Sequence, residues 1–297
     1  MNIILGAGGQ VGSRVAALLE SKGKPVRRVF HHAPQQLTAK AQHSEDVVAD
    51  YFDEESLKKA FDGADTALLL TPESMTSKDM LADARRVLAN YVAALKNSGI
   101  RRVVGLSSCG AQQTPGAGTL QLYALLEETL HSLDIETCIV RPAYYYSNWM
   151  MYMDTARKDS ILPAFFPPDH AIAMIAPQDV AAFIADVLDD GMTRQMAEIT
   201  GPTAYTASDI ARCMGDMLGK DVVAIQIPRE EWLPGLLQAG FSQSSAEHLL
   251  GMTQAVIDNR TNFTTQPIHT GTTFPNYLSE CLFMGQTIDG SIIERGF

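Results

Sequence analysis

The chain of 297 residues predicts an α/β fold, a doubly wound parallel sheet followed by a smaller C-terminal α/β lobe, and three observations carry that prediction. Up to Arg141, short apolar runs alternate with helical patterns, the order that lays parallel strands side by side with helices over both faces. The run Met1 to Leu5 ends in the turn Gly6-Ala7-Gly8-Gly9-Gln10-Val11-Gly12, and an amphipathic stretch follows at once. After Arg141-Pro142 the alternation gives way to irregular spacing, with Pro163, Pro167 and Pro168 close together.

Taken in order, strands are expected at residues 2–5, 26–30, 46–49, 66–70, 102–106 and 136–140, each an apolar run bounded by turn residues. Helices are expected at 10–22, 53–61, 78–98 and 119–133. Val11, Val15, Leu18 and Leu19 make the apolar face of the first helix. Asp53 before Glu54 and Glu55 has the form of an N-cap with acids in the first turn, and Gly99 that of a helix stop. Further on, Pro177-Gln178-Asp179 opens a helix, and helices at 207–218, 229–239 and 244–257 accompany a strand at 222–227. The expected division is 1–150 for a dinucleotide-binding domain and 151–297 for a substrate-binding lobe, some segments of which return to the first sheet.

Net charge is −11 with a pI near 5.0, so no basic footprint for nucleic acid exists. Cys109, Cys138, Cys213 and Cys281 are scattered without Cys-x-x-Cys spacing, which suits a reducing compartment and gives no zinc signature. The seven histidines form no His-Glu-x-x-His pattern, and metal: none is the expectation. No Gly-x-Ser-x-Gly elbow and no Walker-type turn occurs, which leaves hydrolase and phosphoryl-transfer readings without an anchor. No apolar run approaches the roughly 20 residues of a membrane helix, and the first residues form a strand rather than a leader. A cytoplasmic protein, not bound to membrane, is expected.

The chemistry starts at the glycine turn. A strand that ends in such a turn aims the first N–H groups of the next helix, with its positive dipole end, at a pyrophosphate. Glycine-rich turns join many strands to helices. The position of this one, between a buried strand and a helix of the right period, marks Gly6, Gly9, Gln10, Val11 and Gly12 as phosphate-binding.

Further motifs follow in a fixed order. They are V-V-A-D-Y at 47–51 with the helix D-E-E-S-L-K-K-A-F-D-G-A-D, L-L-L-T-P at 68–72 and V-V-G-L-S-S at 103–108. Then come L-E-E-T-L at 126–130, V-R-P-A-Y-Y-Y-S-N-W at 140–149 and P-Q-D-V-A-A-F-I-A at 177–185. Together they resemble the NmrA-like family of the atypical short-chain dehydrogenase/reductase superfamily over nearly the whole chain. The resemblance implies a Rossmann-type fold that binds NAD(P), with substrate held between that domain and the C-terminal lobe. It places Asp50 and Tyr51 beside the adenine and Thr71 and Pro72 along the cofactor's middle. Ser107, Ser108 and the segment Pro142 to Tyr145, with Tyr144, fall near the nicotinamide. The alternative for Thr71 and the serines is local capping of turns.

Cofactor choice turns on the end of the second strand. No carboxylate stands between Glu20 and Glu45 to bind both ribose hydroxyls of NAD, and His31 stands where NADP-using relatives carry an arginine. NADP(H) is favoured, with NAD(H) as second choice. The alternative is that His31 and His32 merely solvate a strand end.

Relatives typically carry Tyr-x-x-x-Lys on the helix before the sixth strand, the lysine lowering the phenol pKa. Aligned through Glu127 and Leu130, the lysine position is Tyr123 and the tyrosine position Thr119; residues 119–131 contain no lysine. Tyr123 is the remaining candidate proton donor, against the reading of a half-buried helix aromatic. Glu127 and Glu128 are expected in solvent. The aromatic and methionine-rich segment Tyr144 to Met153 suggests a flat apolar pocket, with Asn148 and Trp149 on one side and Trp232, Leu233, Leu236 and Phe241 opposite. The expected function is an NAD(P)H-dependent reductase of a quinone, azo compound or conjugated carbonyl. Its alternative is a non-catalytic NAD(P)-sensing regulator with a protein partner.

Overall fold

A computed structural model describes residues 1–32, 43–96, 98–112, 116–190 and 195–283. Eight strands form one parallel sheet. In chain order the first half runs β1 (Asn2–Ile4), α1 (Gly12–Ser21), β2 (Val26–Phe30), β3 (Glu45–Val48), α2 (Glu54–Phe61), β4 (Thr66–Leu70), α3 (Met80–Lys96), β5 (Arg102–Leu106), α4 (Leu120–His131) and β6 (Glu136–Pro142). Each expected element of this half is present, with no end shifted by more than two residues; Asn97, inside the expected third helix, lies outside the described residues.

The second half runs β7 (Tyr144–Tyr145), a 3-10 segment at Tyr146–Tyr152, α5 (Met153–Asp159), β8 (Ile161–Ala164), β9 (Ile172–Ile175), α6 (Pro177–Asp190) and β10 (Met196–Thr200). It ends with β11 (Ala204–Tyr205), α7 (Ala207–Leu218), β12 (Val223–Gln226), α8 (Arg229–Gln238), α9 (Gln243–Ile257), β13 (Ile268–His269) and α10 (Phe274–Phe283). The large sheet has the order β13-β10-β6-β5-β4-β1-β2-β3, so two strands from beyond residue 150 extend it. A three-stranded sheet β11-β9-β7 and the pair β12-β8 complete the second lobe.

Both faces of the large sheet are covered, which is why its strands read as continuous apolar runs. Along β1, Ile3 packs with α2 and α3 through Leu57, Phe61, Val87 and Tyr91. Ile4 faces the other way, against Val15 and Leu19 of α1 and Val180 and Ile184 of α6. The Lys22 ammonium meets Asp186 at 2.8 Å across the α1–α6 contact. A third core fills the second lobe around Tyr146, Trp149, Phe166, Met174 and Phe274.

Order reverses between β1 and β4, whose next strands run outwards to β3 on one side and β13 on the other. Such a switch point opens a crevice at the carboxyl ends of the strands. Gly12 sits at its base: a Cβ there would fall on the Gly6 carbonyl oxygen, so only glycine lets α1 start this close to the end of β1.

Candidate active site

A cleft of about 1010 Å³ runs along the carboxyl ends of the sheet strands. That is the upper end of the range for small-molecule sites, as a dinucleotide with a substrate beside it requires. Gly6, Gly9, Gln10, Val11, Gly12, His31, Tyr51, Thr71, Pro72, Ser107, Ser108, Tyr123, Pro142, Tyr144, Tyr145 and Asn148 all line it. Asp50 does not. Its carboxylate accepts a hydrogen bond from the Phe52 amide at 2.9 Å and so closes its own turn, as an aspartate at a strand end often does.

The residues fit a dinucleotide. Among the described residues no side chain caps the start of α1, whereas α2 is capped by Asp53, which accepts from the Glu55 amide at 3.0 Å. Ser13 N–H turns back to the Gly9 carbonyl at 3.1 Å, so what α1 offers an anion is its first turn at Gly12 and the positive end of its dipole. The glycine turn is held from below by Tyr51, whose hydroxyl accepts from the Gly6 amide at 2.9 Å. Burial pushes that phenol up to about 12, so it stays protonated and keeps its place. Thr71 Oγ1 is buried in the cleft wall with no hydrogen-bond partner among the described residues, the mark of a polar group awaiting a ligand.

At the far arm of the cleft, Arg28 lies between Asp46 at 2.7 Å and Glu20 at 3.9 Å. His31 and His32 are exposed at the rim, with ring centroids 4.3 Å apart, and His31 lies 5.5 Å from the Tyr51 ring.

At the other end the chemistry concentrates. Tyr123, on α4, donates its phenolic proton to Glu73, which follows β4. Glu73 escapes a sequence reading that stops at Thr71-Pro72, although a carboxylate one residue further on the same strand end was the available signal. Burial raises its carboxyl to about 7, and the phenol's hydrogen bond only partly opposes the rise. Tyr123 is itself raised well above the ordinary phenol value by burial and by the carboxylate. A lysine partner would have done the reverse.

Beside the cleft lies an apolar slot of about 310 Å³, and the two share Tyr144, Asn148 and Met252. Trp149, Trp232, Leu236 and Phe241 line the slot, but Leu233 does not. The aromatic segment therefore divides: Tyr144, Trp149 and Tyr152 line the slot, while Tyr146 is fully buried against Tyr205 and Phe274. Met252 belongs to α9, which also fixes the Glu73 loop. Ser242 donates from its amide to the Met75 carbonyl at 2.7 Å, and Ser245 Oγ donates to the Ser74 carbonyl at 2.7 Å. The same helix docks at the start of α4: Thr119 N–H donates to the His248 carbonyl at 2.9 Å, beside Gly118 at φ +58°, where a side chain would meet that carbonyl.

Glu127, expected in solvent, is buried. Its two oxygens accept from Arg141 Nε and Nη2 at 2.7 and 2.6 Å, and Ser107 Oγ donates to it at 2.5 Å. Arg141 also reaches Glu198, at 3.4 Å, which accepts from both Thr264 and Thr265. Parallel pairing supplies the partner: Arg141 leaves β6 beside α4, too far along the chain for helical spacing to show it. Among the described residues, no group of three or more His, Cys, Asp or Glu is placed to hold a metal, and no helix is long and apolar enough to cross a membrane.

This cleft, with its glycine turn and switch point, has recognisable relatives. A family model described as the NmrA-like family matches residues 2–280. The chain belongs to the NmrA-like family. Among curated relatives, the NAD(P)H azoreductase of Xenophilus azovorans is 21% identical over 250 residues, covering 83% of this chain and 84% of its own. Among solved structures, the NADPH-dependent quinone oxidoreductase of Escherichia coli complexed with NADPH superposes with a TM-score of 0.78 at 22% identity, over 95% of this chain and 100% of that one. Citrobacter sp. triphenylmethane reductase gives 0.80 at 19% identity, over 95% and 99%. The NmrA-like fold, a Rossmann-type sheet, is thus the one the sequence predicts.

Proposed function

We propose that this NmrA-like protein is an NAD(P)H-dependent reductase that delivers hydride to a flat, electron-poor small molecule of the quinone, azo or conjugated-carbonyl class. The observation that carries this reading is the meeting of the dinucleotide cleft with the apolar slot at Tyr144, Asn148 and Met252, next to a proton-bearing phenol. The names of its relatives, an azoreductase and a quinone oxidoreductase, agree with it.

A bound reduced nicotinamide supplies the hydride. The glycine turn ending at Val11 and Gly12, with the α1 dipole, would hold the pyrophosphate, Thr71 and Pro72 would flank the middle, and Ser107, Ser108 and Pro142 to Tyr145 would line the nicotinamide end. Residues 151–297 supply most of the slot, where Trp149, Trp232 and Phe241 exclude water and stack on an aromatic ring. Tyr123 completes the reduction by protonating the substrate. The four cysteines are unpaired, as in a reducing cytoplasm.

NADPH oxidation against a panel of quinones, azo dyes and enones tests the proposal, with Gly9→Val, folded but unable to admit a pyrophosphate, as the control that binds no cofactor. Oxidation of at least one class supports it. Tight NADPH binding with no oxidation by any member would sink it and leave the sensor, for which the raised Tyr123 phenol is the favouring observation; protein binding with and without cofactor is then the next measurement.

NADPH is proposed as the preferred cofactor because His31 and His32 lie at the rim and Asp46, the nearby acid on β3, is held by Arg28. The ratio of NADH to NADPH dissociation constants is expected to exceed one. Calorimetry that finds NADH bound equally well overturns the preference.

A further inference from the structure

We infer that Glu73 is the proton reservoir of the site, handing a proton through Tyr123 to the reduced substrate and so replacing the Tyr-x-x-x-Lys logic with a carboxyl–phenol relay. The inference rests on the reductase reading above and adds to it the source of the proton.

The geometry is direct. Glu73 and Tyr123 come from different segments, the loop after β4 and the first turn of α4, and both half-buried side chains line the same cleft wall. The phenol donates to Glu73 Oε1. Neither group is left to chance: the Glu73 loop is fastened to α9 through Ser242 and Ser245, and the start of α4 is fastened to α9 through His248. Tyr123 also packs beside Met252, one of the residues that join the cleft to the apolar slot.

The ionisable groups that bear on the Glu73 carboxyl are both phenols, Tyr123 of α4 and Tyr145 of β7, with Cys109 beyond Tyr145. All three are held neutral by burial, which shifts their pKa values upwards. Among the described residues no ion pair joins Glu73 to a cation, so nothing opposes its burial but one hydrogen bond. A carboxyl near 7 holds a proton in about half of the molecules at neutral pH and exchanges it readily, whereas the phenol alone does not lose its proton in that range.

The step balances for a quinone. The ring system accepts a hydride, two electrons and one hydrogen nucleus, from the reduced nicotinamide. When Glu73 is protonated the hydrogen bond reverses, its O–H donating to the phenol oxygen, and the phenol's own proton is free to turn to the substrate: the developing oxyanion takes that proton as the phenol O–H bond breaks, and the Glu73 proton passes to the phenol oxygen in the same movement. The products are a hydroquinone, the oxidised cofactor, a neutral phenol and a Glu73 carboxylate, which regains its proton from water in the cleft. A free phenolate never forms, which matters because this pocket disfavours it.

Three measurements on the full-length protein test the relay. Infrared difference titration of the cofactor-free protein should show a protonated-carboxyl band that disappears near pH 7 and is missing in Glu73→Gln. With a quinone that the native protein reduces, kcat should be level below pH 7 and fall tenfold per pH unit well above it. Glu73→Gln should retain NADPH binding, lose roughly 10²-fold in kcat and show no break near pH 7. A Glu73 carboxyl that titrates in the ordinary range, near ~4.3, overturns the relay; so does a Glu73→Gln variant with native kcat and pH profile. If Glu73→Gln fails to fold, the infrared titration and pH profile of the native protein decide between the same outcomes. Absence of NADPH oxidation by the native protein with every member of the panel overturns the reductase reading, and the relay with it, whereas turnover that survives Glu73→Gln unchanged overturns the relay alone.

Discussion

Tyr123→Phe is expected to reduce turnover by roughly 10²–10⁴-fold, the usual contribution of one positioned general acid, with NADPH affinity unchanged. The substitution removes a single oxygen from a cleft wall, and the ring keeps its packing beside Leu120, Ala255 and Met252. It also removes the hydrogen bond that holds the pKa of Glu73 down, so that carboxyl should rise above 7. Steady-state kinetics with calorimetry separates the two effects. A loss of only a few-fold would show that water, not the phenol, supplies the proton.

Arg141→Met is expected to destabilise the fold by about 3–5 kcal/mol, because it strips the cation from two carboxylates buried beneath the sheet. Glu127 would lose both of its Arg141 bonds, and Glu198 would keep only the threonine donors at 264 and 265. Against a typical stability of about 5–15 kcal/mol this is a large fraction. With a urea m-value of roughly 2 kcal/mol/M, the midpoint should fall by about 1.5–2.5 M. Replacing Glu127 by leucine in the same protein should recover part of the loss, since no unpaired carboxylate is then left there. An Arg141→Met midpoint within about 0.5 M of the native one would mean that solvent reaches the cluster.

The first half of the fold was legible because each strand there is covered on both faces and each helix has one apolar side. Ile3 and Ile4, buried in opposite directions, show why β1 reads as one unbroken apolar run. Of the later strands β12 was legible, at 222–227, but others carry no such signal. β10, Met-Ala-Glu-Ile-Thr, has a carboxylate at its centre, and Glu198 is tolerated there only because Arg141, Thr264 and Thr265 satisfy it. β7, β11 and β13 are two residues long, too short for any period. In the site, the glycine turn was visible because its spacing is local. Glu73, Met252 and the burial of Glu127 depend on contacts between distant segments, and Asp50 was misplaced because a strand-end aspartate serves its own turn as readily as a ligand.

The three attachments of α9 give the slot a mechanical meaning. Leu249, Met252, Thr253 and Val256 press one face of that helix into the apolar slot, while its first turn holds the Ser74–Ser77 loop and its middle holds the start of α4. On the proposed reductase reading, a guest that fits would leave the helix where it is, and carboxyl and phenol would keep their contact. A bulkier guest would lever α9 outwards and pull both halves of the pair by the same beam. Selectivity would then lie in how fast a bound molecule is reduced rather than in whether it binds, so poor substrates of the right polarity are expected to act as inhibitors.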